Sequence, residues 1–439
     1  MPNLLPYQFS GSNFLAARPN AGLLDGMRLG KTRQALKAGR LIMCRDMLVV
    51  CKASGIAGWI RESAEWGYRP QMITSKTDRF IDGSYDEPAC YVVSYNLASK
   101  PAVQALLASR FYTVCVIDEA HYAKNRDTAR TQMLYGAEIH DTGIAARAAV
   151  RWILTGTFFP NYVDECWTHL YALMPSTIRY HGKYAMGYWL FRDMYCRVTN
   201  DGKIVGNKNL GDLRKRLKGW TLRRTKEQVW KDVPRMQIAM LHLNATKPKL
   251  PREEDAMIQR LLDQCETEDE LLERLKVASV HVAKLRRLLG MAKIKAVVDW
   301  VRDNLDQMGK VVLFAHHKEV MDGLIEGCSN FTDVVSLRGG MSSTERERVR
   351  VQFQEDRDVG VFIGQNHAAG DSIALHAADV VVLCEPDWVP GQNDQCLDRI
   401  SYFEKKYGCT GYFATIPNSV DEMVLNVLSR KSIDNQDAQ

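Results

Sequence analysis

The chain has 439 residues, of which 46% are hydrophobic and 25% charged, with a formal net charge of +6. That length exceeds one ordinary core and suits two domains of roughly 200 residues. The balance is that of a globular protein rather than a fibrous, disordered or membrane-embedded one. No apolar run approaches a bilayer span, and the opening MPNLLPYQFS lacks the basic start and apolar centre of a secretory signal. The expectation is a soluble, cytoplasmic protein without membrane attachment. The eleven cysteines are scattered with no CxxC pair or His/Cys cluster, which excludes a zinc module or a disulfide scaffold. Cys115 and Cys384 sit in apolar strand-like runs and are expected to be buried, reduced thiols.

Read in chain order, Ala21–Leu24 is a short strand, followed by a glycine-bearing loop and a helix beginning near Lys31. Further strands are expected at Met47–Cys51, Tyr91–Ser94, Val114–Asp118 and Arg151–Thr155, separated by amphipathic helices. This alternation implies a parallel sheet covered on both faces. Residues 161–235 read as mostly helical. Within them, residues 201–235 carry eleven Lys/Arg against four Asp/Glu, a surface suited to a phosphate backbone. Residues 246–289 read as a charged helical connector, with Leu261, Leu262, Leu271, Leu272 and Leu275 at helical spacing. A second strand–helix alternation follows, with strands at Val311–Phe314, Val334–Leu337, Gly360–Ile363, Val380–Cys384 and Tyr412–Thr415. The expected architecture is therefore α/β: a first lobe over 1–245, the connector over 246–289, a second lobe over 290–430 and a frayed tail over 431–439.

The chemistry concentrates in two stretches. In DGMRLGKTRQAL, Asp25 to Leu36, a loop ending in Gly30 leads into a helix N-terminus, which aims backbone N–H groups at one point and so suits phosphate. Lys31 can reach the outer phosphates of a nucleoside triphosphate and the Thr32 hydroxyl can ligate Mg²⁺. In VCVIDEAH, Val114 to His121, an apolar run ends in two carboxylates. Asp118 at a strand tip is placed to hold Mg²⁺, and Glu119 to activate water. The strict phosphate-loop pattern wants glycine where this chain has Asp25.

The chain resembles the Swi/Snf-like DNA translocases of helicase superfamily two, through segments matching in one order along its length. These are LLPYQFSG, the phosphate loop, LVVCKASGIAGWIRESAEW, VVSYN, VIDEAHYAKN, LTGTFFPNYVDECW and TLRRTKEQVWKDVP. They continue with VVLFAHHKEVMDGL, RGGMSSTERERVRVQFQ, AAGDSIALHAADVVV and DWVPGQNDQCLDRI. GMAKIKAVVDWV with FAHHK is most similar to the annealing-helicase (HARP-type) branch. The resemblance implies two RecA-like lobes with ATP and Mg²⁺ between them. It implies that Gln8 reads adenine, that Gly30, Lys31, Thr32, Gly370, Gln395 and Arg399 bind ATP, and that Asp118 and Glu119 drive hydrolysis. His121, Thr155 and Thr157 would couple hydrolysis to movement. Lys52, Ser94, His317, Lys318 and Trp388 would follow double-stranded or forked DNA without sequence preference.

Several positions depart from the family pattern. Arg28 stands where the family usually has glycine. Asp371, Ser372 and Ala374 stand where it favours Leu, Gly and Asn. In the last motif Arg399 is present, but the second arginine is replaced by Tyr402, and Glu404 and Lys405 replace a Gly-Gln pair. An arginine finger is worth roughly 10³–10⁵ in rate, so three outcomes follow: Arg399 takes the charge role, Lys405 or Lys406 reaches in, or hydrolysis is slow and the protein is an ATP-gated DNA clamp. A DNA-stimulated ATPase is the favoured reading. An RNA helicase fits the LRRTK and DWVP segments less well. The compact length suggests a bacterial or phage-encoded protein.

Overall fold

The computed structural model describes residues 2–137, 142–159, 161–230, 236–248, 256, 279–366, 373–387, 390–402, 405, 407–417, 419, 422 and 425. The chain divides into two compact units, Met1–Val229 and Trp230–Gln439.

The first unit contains strands β1 (Asn20–Leu23), β2 (Asp46–Cys51), β3 (Arg69–Met72), β4 (Ala89–Ser94), β5 (Tyr112–Asp118) and β6 (Ala148–Leu154). It continues with β7 (Arg179–Tyr180), β8 (Tyr184–Ala185), β9 (Cys196–Val198), β10 (Ile204–Asn207) and β11 (Thr221–Leu222). Seven of these make one parallel sheet in the order β11-β1-β6-β5-β2-β4-β3. The apolar runs of β2, β4 and β5 are buried on both faces, as a helix-covered parallel sheet requires. One face packs against Leu15, Leu36, Trp59 and Trp66, and the other against Val103, Leu134, Leu170 and Phe191.

Register is what assembles the site. Leu23 of β1 and Asp118 of β5 both pair with Leu154 of the intervening β6. The loop after β1, the Asp118 carboxylate and Thr155 therefore emerge level with one another from three adjacent strands. In doubly wound sheets this carboxyl edge is where ligands bind. On the next two strands Cys51 pairs with Ser94, which places Lys52 and Ser94 on the same edge.

The second unit holds β12 (Gln237–His242), β13 (Val311–Ala315), β14 (Asp333–Leu337), β15 (Val359–Gln365), β16 (Val380–Leu383) and β17 (Thr410–Thr415). All are parallel, in the order β12-β17-β16-β13-β15-β14. Helices Lys318–Cys328 and Ser343–Glu355 and the thirty-residue helix Ser279–Met308 cover it. The last of these contains GMAKIKAVVDWV, and its Val297 and Val301 are fully buried in the core.

Two expectations are corrected. Among the described residues of 161–235, namely 161–230, helix is not predominant: between helices Trp167–Leu173, Tyr188–Tyr195 and Leu210–Leu217 lie the antiparallel hairpins β7–β8 and β9–β10, and β11 joins the main sheet. The hairpin turns carry Gly182 and Gly202 at φ +70° and +83°, a left-handed geometry that glycine adopts without strain. Secondly, residues 237–242, read above as the end of the first lobe, form the edge strand β12 of the second sheet. The connector leucines 261–275 and the tail 431–439 lie outside the described residues.

All ten described cysteines are buried free thiols, and burial pushes the Cys115 thiol up to about 12. His169 is buried in the first core, its Nδ1 2.8 Å from the Tyr135 hydroxyl and its ring 5.9 Å from Phe158. Burial pushes its imidazole down to about 3. Because the unfolded chain protonates this histidine below about pH 6.5 and the fold does not, stability is full above that pH. It falls by about 1.4 kcal/mol per pH unit below it. At pH 5 the loss is about 2 kcal/mol. Urea midpoints of wild type and His169→Gln, compared at pH 7 and pH 5, are expected to converge at the lower pH; parallel shifts would refute this.

Candidate nucleotide site and DNA-facing surface

The loop between β1 and helix Lys31–Leu41 is built around two left-handed residues, Arg28 (φ +66°) and Gly30 (φ +72°). A Cβ at Gly30 would lie 2.4 Å from Gln8 Nε2 and displace that amide, and the left-handed backbone itself favours glycine there. Arg28 explains its own departure: its backbone keeps the glycine-like geometry, at the modest strain a non-glycine residue incurs there. The Lys31 ammonium donates to the carbonyls of Asp25 (2.8 Å) and Gly26 (3.1 Å), which folds the loop around it. Gln8 on helix Pro6–Ala16 donates to Leu29 O at 3.3 Å and accepts from Leu5 N at 3.0 Å, tying that helix to the loop.

Asp25 is fully buried and heavily bonded. It accepts from Arg224 Nε at 2.9 Å and Nη2 at 2.5 Å, and from Gln34 Nε2 at 3.1 Å. Arg224 also donates to Gln34 Oε1 at 2.8 Å and to Tyr7 O. The aspartate that breaks the strict phosphate-loop pattern is thus the anchor that holds the loop down. Sequence reading missed Arg224 and Gln34. The only signal was the TLRRTK segment, and nothing in it indicates which distant acid its arginine meets.

At the tip of β5, Asp118 Oδ2 accepts from the buried indole N–H of Trp59 at 2.8 Å and Oδ1 accepts from Glu119 N at 3.0 Å. Asp118 O accepts from Tyr95 at 2.8 Å. The Asp118 carboxyl is pushed up to about 6, first by burial and then by the neighbouring Glu119, against the opposing effects of Trp59 and Lys31. Glu119 is itself left-handed, φ +49°, and partly exposed. Such strain in a non-glycine residue is typical of functional positions. His121 Nδ1 lies 3.1 Å from Thr155 Oγ1 and 3.4 Å from Glu119 Oε2. Thr155 donates to Thr157 O at 2.9 Å and accepts from Thr157 N at 3.1 Å. Since the threonine proton is committed to Thr157, Nδ1 of His121 carries the proton shared with Thr155.

Lys52 holds its ammonium 4.5 Å above the Tyr122 ring, and Tyr122 stacks on Tyr95 at 6.0 Å. The Ser94 hydroxyl caps helix Tyr95–Ala98, accepting from Leu97 N at 3.3 Å, and is nearly buried. In the second unit Phe314 pairs with both Gly364 and Leu383, which sets the ends of β13, β15 and β16 side by side. Here His317 Nδ1 lies 2.6 Å from the buried Glu385 Oε1, while Oε2 accepts from His316 N and His317 N. Burial pushes the Glu385 carboxyl up, but these bonds outweigh it and hold it below the usual carboxylate range. Lys318 opens the helix that follows. Gln395 sits on helix Pro390–Leu397 and Arg399 in the turn after it, where its carbonyl accepts from Leu375 N at 2.9 Å. Gly370, Trp388, Glu404 and Lys406 lie outside the described residues.

Residues 7–273 match the SNF2-related domain. The chain belongs to the SNF2-related family. Residues 292–401 match the helicase conserved C-terminal domain, so the chain is an SNF2-family ATPase/helicase core. It is 26% identical over 98% of its length to the DNA annealing helicase and endonuclease ZRANB3 of Homo sapiens, covering 40% of that protein. It is likewise 26% identical, over 98%, to the SWI/SNF-related matrix-associated actin-dependent regulator of chromatin subfamily A-like protein 1 of Xenopus tropicalis, covering 44% of it. The chain therefore spans less than half the length of these curated relatives. The solved Sulfolobus solfataricus SWI2/SNF2 ATPase core in complex with dsDNA aligns over 98% of this chain and 91% of that one, with 21% identity and a TM-score of 0.46. Among the described residues no helix is long and apolar enough to cross a membrane.

Against the SNF2 pattern, the replaced arginine position has a definite structure. The Tyr402 ring stacks on His376 at 4.6 Å and 19°, and His376 Nδ1 is 3.2 Å from Gln354 Nε2. Lys405 donates to Ala378 O at 2.6 Å and pairs with Asp379, at the amino end of β16. It is held at the opposite edge of the sheet from the strand tips that carry His316 and Glu385.

Proposed function

We propose that this SNF2-family core hydrolyses ATP in a DNA-stimulated reaction and couples it to movement along double-stranded or forked DNA. The observation that carries the reading is the level emergence of the Lys31 loop, the Asp118–Glu119 pair and the His121–Thr155–Thr157 chain from three neighbouring strands. Lys31 and the loop N–H groups receive the triphosphate, and Gln8 lies beside the loop where it reads the base. The hard oxygen donors of Thr32 and Asp118 suit Mg²⁺, which when bound neutralises charge on the β- and γ-phosphates. Glu119 orients and deprotonates the attacking water. His121 links the Glu119 side chain to Thr155, so a change at the γ-phosphate is passed into the segment after β6. Gly370, Gln395 and Arg399 of the second unit act on the same nucleotide, and Lys52, Ser94, His317, Lys318 and Trp388 on the DNA. Ser94 contributes through its backbone, since its hydroxyl is a helix cap.

A second reading keeps the DNA grip with slow hydrolysis, and it is favoured by one observation: Tyr402, stacked on His376, supplies no guanidinium where the family has its second arginine. Phosphate release measured with and without duplex DNA separates the two. A rise of about tenfold or more, weakening steeply with salt as a phosphate-backbone contact must, is the expected result. Turnover indifferent to every DNA tested would overturn the translocase reading.

A further inference from the structure

We propose that helix Tyr188–Tyr195 of the first unit, with Arg126, is a docking site for unpaired bases of single-stranded DNA, with Trp189 as its stacking platform. This rests on the DNA reading above and adds a surface that none of the helicase motifs includes. Trp189 is 58% exposed, whereas the other seven described tryptophans are buried or half-buried. Its ring has cationic company: the Arg192 guanidinium lies 4.5 Å and that of Arg126 5.5 Å from the ring centroid. Arg126 also lies 4.4 Å from the Tyr188 ring. Tyr188 is fixed in turn, its hydroxyl donating to Asp164 at 2.9 Å and its ring meeting Trp167 edge-on at 5.5 Å. The cluster is therefore pre-organised rather than a loose surface side chain.

Charge selects the partner. Residues 179–208 carry six Lys/Arg against two Asp/Glu. Lys183, Arg197 and Lys203, on or beside the two hairpins, are exposed. The carboxylates beside the arginines, Asp193 at 3.1 Å from Arg192 and Asp127 at 3.6 Å from Arg126, are themselves 61% and 79% exposed. Such solvated pairs are weak and yield to a phosphate. Position in the chain agrees, since Arg126 lies four residues beyond Tyr122, on which Lys52 and Arg130 both sit. Within a duplex the bases hide their faces against each other. Only an unpaired base offers one to an aromatic ring, and such stacking with flanking cations tolerates any sequence.

The test is titration of the full chain with a short oligothymidylate, read by tryptophan emission and by anisotropy of a labelled strand. Emission is expected to be quenched, Trp189→Ala to weaken binding about tenfold, and Trp189→Phe to retain most of it. Replacing Arg126 and Arg192 by Gln should lower the slope of log affinity against log salt by about 0.7 for each cation removed. A merely structural role would not produce that change. Should Trp189→Ala melt early, Trp189→Phe and the double Gln variant carry the test. Undiminished oligothymidylate affinity in Trp189→Ala, or an unchanged salt slope, overturns this site and assigns the ring to a protein partner. Duplex-stimulated turnover in wild type would then still support the translocase reading. If wild type binds neither oligothymidylate nor duplex, the DNA reading itself falls.

Discussion

Glu119→Gln is expected to reduce DNA-stimulated ATP turnover about 10³-fold while changing the Michaelis constant for ATP only a few-fold, within the 10²–10⁴ range of a lost general base. Glutamine keeps the size of the side chain and its left-handed backbone, φ +49°, but cannot take a proton. The carboxylate stands partly exposed beyond β5, 3.4 Å from His121, where water reaches it. Asp118, by contrast, is bonded to Trp59 and to its neighbour's backbone, which suits a fixed metal ligand and not a mobile base. Lys31→Ala should act differently. Its ammonium closes the loop through the carbonyls of Asp25 and Gly26 and, in the proposed reaction, meets the outer phosphates, so nucleotide affinity and turnover should fall together. Steady-state kinetics with saturating duplex DNA distinguish the two patterns. Turnover in Glu119→Gln within about threefold of wild type would remove the assigned base.

Where the sequence was legible, the reason is physical. The runs in β2, β4, β5, β13, β15 and β16 are short, apolar and buried on both faces, which is the strongest strand signal a chain emits. The expected strand at Met47–Cys51 differs from β2 by a single residue at its start. The phosphate loop was equally plain, because glycine before a helix and a carboxylate at a strand tip are local geometries. What escaped was small or distant. Strands β7 and β8 are two residues each, too short for any period to register. The edge strand β12 exposes Gln237, Ile238 and Ala239, so its pattern reads like a linker. Ser94 was assigned to DNA by resemblance, yet its hydroxyl caps a helix, a use that serine at a strand–helix junction serves as readily. Trp59 lies inside LVVCKASGIAGWIRESAEW, but only the fold shows that its indole N–H is spent on Asp118.

The Asp25–Arg224 pair is the least legible feature and the one whose removal should cost the first unit most stability. Asp25 has no exposed side-chain surface and Arg224 only 13%. Truncating Arg224 to Ala strands a buried carboxylate that Gln34 alone cannot satisfy, a loss of about 3–5 kcal/mol. For a unit of this size that is about a 10 °C drop in melting temperature. Arg224→Lys should recover little, because a point charge cannot span Asp25, Gln34 and the Tyr7 carbonyl as the planar fork does. Removing both charges, as Asp25→Asn with Arg224→Gln, should cost less than the sum of the single changes, since no ion is left unpaired. The loop hangs from this pair through Lys31, so the Michaelis constant for ATP should rise in step with the loss of stability. Calorimetry and ATP titration on Arg224→Ala, Arg224→Lys, Asp25→Asn, Arg224→Gln and the double change decide it. Additive single and double changes, or an Arg224→Lys protein as stable as wild type, would show that the pair is incidental to the phosphate loop.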